Sequence, residues 1–376
     1  MPSRAQIAQT IGGARARAVL VPYVLSRALV VLALVLTRHV LRARSATPLP
    51  LQARLGLLGW DAAWYRDIAR SGYRGVAKVG LRFFPLFPLL GRVVSWLPGV
   101  SAGAAVLVVA NVSALAVGVL VYELARREGR DHDLARRAVW IVYLAPTAFV
   151  LVMGYAEATL MTATVVALLA MRSRRWWIAA VAGVVAGLTR PVGLILVVPA
   201  LFEAFQARGN ATRKTYAGMA GAVAGPAFGT GAYLVWAEHR SGDLLYPLSV
   251  QQATASRGGW IDPVRAVWRA AKLAADGGHL SAGIHVVTAG ALVVLIVVSW
   301  RRWPASFTAY AVAVAVVGLS ARNLDSLERY SLSTVPLVLA AADITGGGTR
   351  ERIVLVALGA VLVACSVLAF SGLLVP

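Results

Sequence analysis

SAGAAVLVVANVSALAVGVLVYEL, residues 101–124, is an apolar run long enough to cross a bilayer as one helix, because about twenty residues at a 1.5 Å rise span a hydrocarbon core of about 30 Å. Working outward from it, comparable or shorter runs lie at 18–38, 138–153, 156–171, 177–189, 191–206, 216–237, 284–300, 304–320, 331–343 and 353–371. The runs are unbroken rather than alternating, and in lipid every backbone polar group needs an internal partner, so helices are expected rather than a barrel. The fold class that follows is an all-α polytopic membrane protein with about eleven transmembrane helices, built as a single domain over 1–376. Two long stretches, 39–100 and 238–283, are left outside the runs.

Composition agrees. Of 376 residues, 59% are hydrophobic and 14% charged, against about 45–50% and about 25% in an ordinary soluble domain. The formal net charge of +21, from 37 Lys plus Arg against 16 Asp plus Glu, would point to nucleic acid in a soluble chain. Here the basic residues fall mostly between apolar runs, where they anchor to membrane lipids and set orientation. No compact basic domain is left for nucleic acid. The lysines are only Lys78, Lys214 and Lys272, and the Arg, Ala, Val and Gly bias reads as genomic base composition. Cys365 is the single cysteine, which excludes a disulfide framework and a thiolate metal site. Arg4, Arg15 and Arg17 precede the first run with no small-residue cleavage site after it, so the segment reads as a retained first helix.

The connectors 126–137, 172–175, 208–214, 301–302 and 350–352 are strongly basic, which places them in the cytoplasm. By parity 39–100, 238–283 and the segment around Arg329 then lie on the outer face. Basic residues on both sides of 177–206 predict two short spans meeting outside at Arg190-Pro191.

The first outer stretch holds WDAAWYRDIARSGY at 60–73 and LRFFPLFPLL at 81–90. At helical spacing Asp61, Trp64, Tyr65 and Ile68 share one face, with Arg66 and Arg70 opposite. Two readings stay open: a surface helix with Asp61 as its N-cap, or Asp61 as a carboxylate at the rim of an outward cavity ringed by aromatic groups suited to a sugar or isoprenoid. Asp67, six positions on, faces elsewhere, and without a DxD pair no metal is expected. In the second stretch Val264, Val267, Trp268 and Ala271 form an apolar stripe opposite Arg265, Arg269 and Lys272, which predicts another surface helix. Asp243 and Asp262 read as turn and capping residues, and His279 and His285 as interfacial rather than metal ligands.

WDAAWY followed by GY and FFPLFPLL resembles the first-loop signature of the PIG-V-type mannosyltransferases. Other matching positions are Ser26-Arg27, Asn111, Pro146 through Tyr155 and Glu157, LTRPVGLILVVP at 188–199, and Arg329-Tyr330 with Pro336. The resemblance implies a GT-C-like fold with a long first extracytoplasmic loop and an inverting glycosyltransferase, a mannosyltransferase in particular. It would use polyprenyl-phosphate mannose as donor substrate, no further cofactor, and a glycolipid or glycan acceptor. It implies Asp61 as catalytic base; Trp60, Trp64, Tyr65, Arg82, Glu157, Arg190, Arg329 and Tyr330 are the expected substrate-binding positions. One departure is Ala156, where the family often has Ser or Thr before the matching glutamate. The implied location is a bacterial plasma membrane, with the site facing outward.

The residues suit such chemistry. An inverting transfer needs a base for the attacking hydroxyl, while a phosphate leaves as a stable anion and needs positive charge instead of an acid. Arg82, Arg190, Arg322 and Arg329 are the candidates, each with an alternative reading as an interfacial anchor. A transporter or flippase for a lipid-linked or anionic substrate is the rival class, because interrupted helices such as that at Arg190-Pro191 build midplane binding sites.

Overall fold

The computed structural model describes residues 4–44, 48–210, 212–253, 257–277 and 280–376. Among these the regular structure is helical, with no strand. Helix α1 (Arg4–Ala43) leads into the first long loop, which folds as α2 (Leu51–Leu55), α3 (Asp61–Ser71) and α4 (Leu86–Val94). Next come α5 (Ala102–Arg127), α6 (His132–Leu144), α7 (Glu157–Arg172), α8 (Trp176–Thr189), α9 (Val197–Ala207) and α10 (Arg213–Ser241). The second long loop carries α11 (Tyr246–Ser249) and α12 (Pro263–Ala275), and the chain closes with α13 (Leu280–Arg302), α14 (Ala305–Leu319), α15 (Leu327–Ser333), α16 (Val335–Thr345) and α17 (Gly348–Ser371).

Four stretches, Gly13–Ala43, Ala102–Arg127, Ser281–Arg302 and Gly348–Ser371, are long and apolar enough to cross a membrane. Only 22% to 44% of their most apolar windows is buried within the protein. The rest turns Val24, Val112, Val287, Val356 and similar side chains outward. Apolar surface on that scale needs lipid around it, so this is a helical membrane protein. Shorter apolar helices lie at 176–189, 191–207, 305–319 and 335–345.

Prolines correct two expected helices. The run at 138–153 is helical only to Leu144, because Pro146 disfavours helical backbone at the residue before it and Ala145 is already extended. The open backbone that follows is satisfied from neighbouring helices, as a low-dielectric setting demands. Arg27 donates to Leu151 O at 3.0 Å and to Asn111 Oδ1 at 3.1 Å, and Asn111 Nδ2 donates to Val152 O at 3.1 Å. The run at 331–343 is likewise split at Thr334, between α15 and the Pro336-bearing start of α16. As expected, the chain turns at Arg190-Pro191, with a 3-10 turn between α8 and α9.

The two ends of the helix bundle differ. At one, Arg172 pairs with Glu128 at 2.7 Å and Glu203 at 3.3 Å, Arg302 with Asp343 at 3.3 Å, and Arg136 with Glu351, so the basic connectors gather there. At the other the two long loops meet. Lys78 Nζ donates to Ser241 O at 2.8 Å, Gln251 Nε2 to Arg82 O at 3.3 Å, and Tyr233 OH to Leu81 O at 2.7 Å.

Candidate active site

The site begins with a strained residue. Trp60 has φ +55°, a region that costs a non-glycine residue about 1–3 kcal/mol. Gln52 Oε1 accepts its backbone N–H at 2.9 Å, and its indole N–H donates to Ala369 O of α17 at 3.0 Å. Trp60 thereby takes the cap position, and Asp61 is the first residue of α3 rather than its N-cap. Behind it Tyr65 and Ile68 are buried, with Tyr65 edge-on to Phe83 and Phe87 at 5.1 and 4.9 Å. Gly72, at φ +65°, ends α3 in a conformation that suits glycine. Asp67 pairs with Arg66 and Arg70 at 3.0 and 3.8 Å and takes no part in the site.

Glu157 is the first residue of α7, so both carboxylates sit where a helix dipole favours negative charge. Between them reaches Arg329 from α15, its Nη1 3.0 Å from Asp61 Oδ2 and 3.2 Å from Glu157 Oε1. Its Nη2 donates to Ser326 Oγ at 2.6 Å, and Ser326 is itself at φ +85°. Arg190 bonds Glu157 from the other side, and Arg82 lies 3.8 Å from Asp61 Oδ1. Charges therefore alternate through the site in the order Arg82, Asp61, Arg329, Glu157, Arg190. Among the described residues three non-glycine positions have positive φ, and two of them, Trp60 and Ser326, stand in this wall.

A cavity of about 310 Å³ opens on the cluster, and Trp60, Asp61, Tyr65, Arg82, Arg190, Arg329 and Tyr330 all line it. Two sequence-predicted positions do not. Glu157 is buried behind Arg190 and Arg329, and Trp64 stacks on Phe83 at 5.6 Å. Arg322 lies in the wall of a neighbouring cavity of about 350 Å³. His285 also lines that cavity, and it is buried rather than interfacial, with Asp325 at 3.3 Å and Glu328 at 2.9 Å. His279 is outside the described residues.

The local potential is positive. Burial pushes the Asp61 carboxyl up, but Arg329, Arg82 and Arg190 outweigh it and hold the group below the usual carboxylate range. Burial likewise pushes the Tyr330 phenol up, and Arg257, Arg190 and Arg329 overturn the effect. At Tyr65, which lines the same cavity, burial prevails and pushes the phenol up, so the arginines favour the charged form at Asp61 and Tyr330 in particular.

The second loop adds Gln251 and Arg257, which sequence reading missed. Arg257 donates to Val317 O at 2.8 Å and Gly318 O at 3.2 Å, and its guanidinium lies 5.1 Å from the Tyr330 ring centroid. No local pattern separates it from the other arginines. Asp325 and Ser326 also line the cavity, and their place just before Arg329 was the available signal. A mainly apolar cavity of about 240 Å³ adjoins this one, sharing Pro191, Gln251, Arg257 and Tyr330 and continuing along Val192, Leu194, Ile195 and Leu248. Among the described residues no group of three or more His, Cys, Asp or Glu side chains is arranged to hold a metal ion.

The chain matches no protein-family model, and no curated protein is significantly similar to it. The resemblance to the PIG-V-type mannosyltransferases rests on the motifs quoted above.

Proposed function

We propose that this protein is an inverting glycosyltransferase of GT-C-like architecture, crossing the membrane about eleven times, with the two long loops and the site on the outer face. It moves a sugar, mannose by resemblance, from a polyprenyl phosphate to a lipid or polymer glycan acceptor. The observation that carries this reading is the gathering of Asp61, ion-paired with Arg82 and Arg329, together with Arg190 and Arg257 around one cavity that opens beside an apolar one. The apolar cavity suits an isoprenoid chain and the arginines suit the phosphate at its end. The gathering of basic connectors at the opposite end supports the orientation.

In the step itself the acceptor oxygen attacks the anomeric carbon opposite the phosphate. The carbon–oxygen bond to phosphate breaks, polyprenyl phosphate leaves with the electron pair, and the acceptor proton passes to Asp61. A carboxylate held ionised is a weak base at rest, but the acceptor hydroxyl grows acidic as its oxygen bonds to carbon, so transfer is late. Arg82, Arg257 and Arg329 neutralise the leaving phosphate.

The test is incorporation of radiolabelled sugar from polyprenyl-phosphate mannose into membrane lipid or polymer by purified protein. Asp61→Asn should cut turnover by about 10²–10⁴-fold, the usual contribution of a positioned base, and Asp67→Asn should keep most of it. Near-normal turnover by Asp61→Asn would remove the base assignment. Movement of intact donor across vesicles without sugar transfer would favour the flippase reading that the break at Arg190-Pro191 suggests.

A further inference from the structure

The strongest feature outside the cleft lies at the other end of the bundle. Helices α8 and α10 run side by side in the same direction, with Gly218 against Trp176, Gly225 against Ala180, Gly229 against Val184 and Gly187 against Thr230. A Cβ at Gly225 would fall 2.4 Å from Ala180 O, and one at Gly229 would fall 2.3 Å from Val184 O, so glycine is what lets the backbones approach. A parallel seam brings both helix N-termini to one place, where the positive ends of their dipoles act together.

Between those N-termini opens a cavity of about 350 Å³, walled in part by Arg174, Arg175, Trp176, Trp177, Lys214 and Thr215. Among the described residues no carboxylate lines it. Arg174 is engaged, donating to Glu203 O at 3.2 Å and lying 3.8 Å from its carboxylate, whereas Arg175 and Lys214 have no ion-pair partner among the described residues. Helix α8 starts there without a side-chain cap: its Ile178 and Ala179 N–H groups donate back to Arg175 O at 3.1 Å, which leaves those of Trp176 and Trp177 for an outside acceptor. The Trp176 side chain, in the wall, is 4% exposed, and its indole N–H has no hydrogen-bond partner. A buried orphan donor, an uncapped helix start and two unpaired cations all call for an anion. On the first turns of α8, Trp177, Ile178 and Val181 are exposed and apolar.

We propose that this cavity binds the phosphate of an anionic membrane lipid, whose acyl chains lie along the exposed face of α8. The chemistry is that of a phosphate group, and the apolar ridge beside it selects a lipid over free phosphate. The site is separate from the cleft and does not depend on the function proposed above.

Native mass spectrometry of the purified full chain, offered phosphatidylglycerol or phosphatidylcholine, tests it. The wild type should retain phosphatidylglycerol about tenfold better than phosphatidylcholine, and Arg175→Gln/Lys214→Gln should lose about tenfold of that retention, the scale of one charge-assisted bond. Lys214→Gln alone changes one exposed side chain and should lose about threefold, which keeps the test open if the double variant fails to insert. Equal retention of the two lipids, or equal retention of phosphatidylglycerol by wild type and Lys214→Gln, would overturn the proposal. Thermal stabilisation by millimolar inorganic phosphate as large as that by phosphatidylglycerol would assign the site to a free anion and overturn the lipid.

Discussion

The two long loops meet at one cavity but are built differently. The first, 39–100, has a core of its own, in which Tyr65, Ile68, Phe83 and Phe87 are buried against Val106 and Ala110 of α5. Bonds from Tyr233 and to Ala369 fasten it to the helices. The second, 238–283, leaves Leu245, Trp260, Val264 and Trp268 exposed, and it reaches the cavity through Gln251 and Arg257, outside its two α-helices. A reacting carboxylate needs a rigid mount, because small misplacements are costly. A loop that admits a lipid-linked substrate needs instead to be separable from the core. On this reading the first loop holds the chemistry and the second covers it.

The largest contrast is in stability. Phe87→Ala removes a fully buried ring from the first-loop core and should cost about 3–5 kcal/mol, while Leu245→Ala, on a half-exposed side chain, should stay within about 0.5 kcal/mol. Unfolding in detergent, followed by near-ultraviolet circular dichroism, measures both. Equal costs would dissolve the distinction between mount and cover.

A smaller effect sharpens what the second loop contributes. Arg257 brings a guanidinium to the cavity from that loop, and a charge-assisted bond to phosphate is typically about 1.5–3 kcal/mol. Arg257→Ala should therefore raise the donor KM about tenfold to 150-fold with less change in kcat. Arg257→Lys should recover only part, since an ammonium lacks the planar fork. A fall in kcat alone, at unchanged KM, would move Arg257 from holding the donor to shaping the reacting centre.

How far each loop could be read from sequence follows the same division. The first was legible because its cavity-lining residues are local: Asp61, Trp60 and Tyr65 lie within six residues, and the prolines and phenylalanines after them mark a packed turn. The apolar stretches were legible too, and where helices broke unexpectedly the causes were Pro146 and Pro336. Arg257 was not legible, because its place comes from carbonyls at Val317 and Gly318, sixty positions away. His285 was misread for a similar reason. A lone histidine at the end of an apolar helix looks interfacial until Asp325 and Glu328 fold over it. The alternation of charge from Arg82 to Arg190 joins five segments, and no spacing within one of them announces it.

The smallest expected effect on turnover lies on the outer side of the second loop. Asp262 caps α12 by accepting the Arg265 N–H at 3.0 Å, and Ala266 and Ala270 are its buried residues. Val264 and Trp268, 76% and 63% exposed, are four residues apart and so share a helix face. Lys272 Nζ lies 5.6 Å from the Trp268 ring centroid. An apolar face with a cation at its edge fits a helix lying in the membrane interface, so this face contributes contact with lipid rather than with substrate. Trp268→Ala should then change turnover in detergent by less than about threefold, as surface substitutions away from a site do. The lipid contact is read separately. A polarity-sensitive fluorophore on a cysteine replacing Val264, in a Cys365→Ser background, should emit at shorter wavelength in vesicles than one replacing the exposed Arg265. Identical emission at the two positions would place α12 in water, and a large loss of turnover in Trp268→Ala would make it part of the cavity wall instead of its cover.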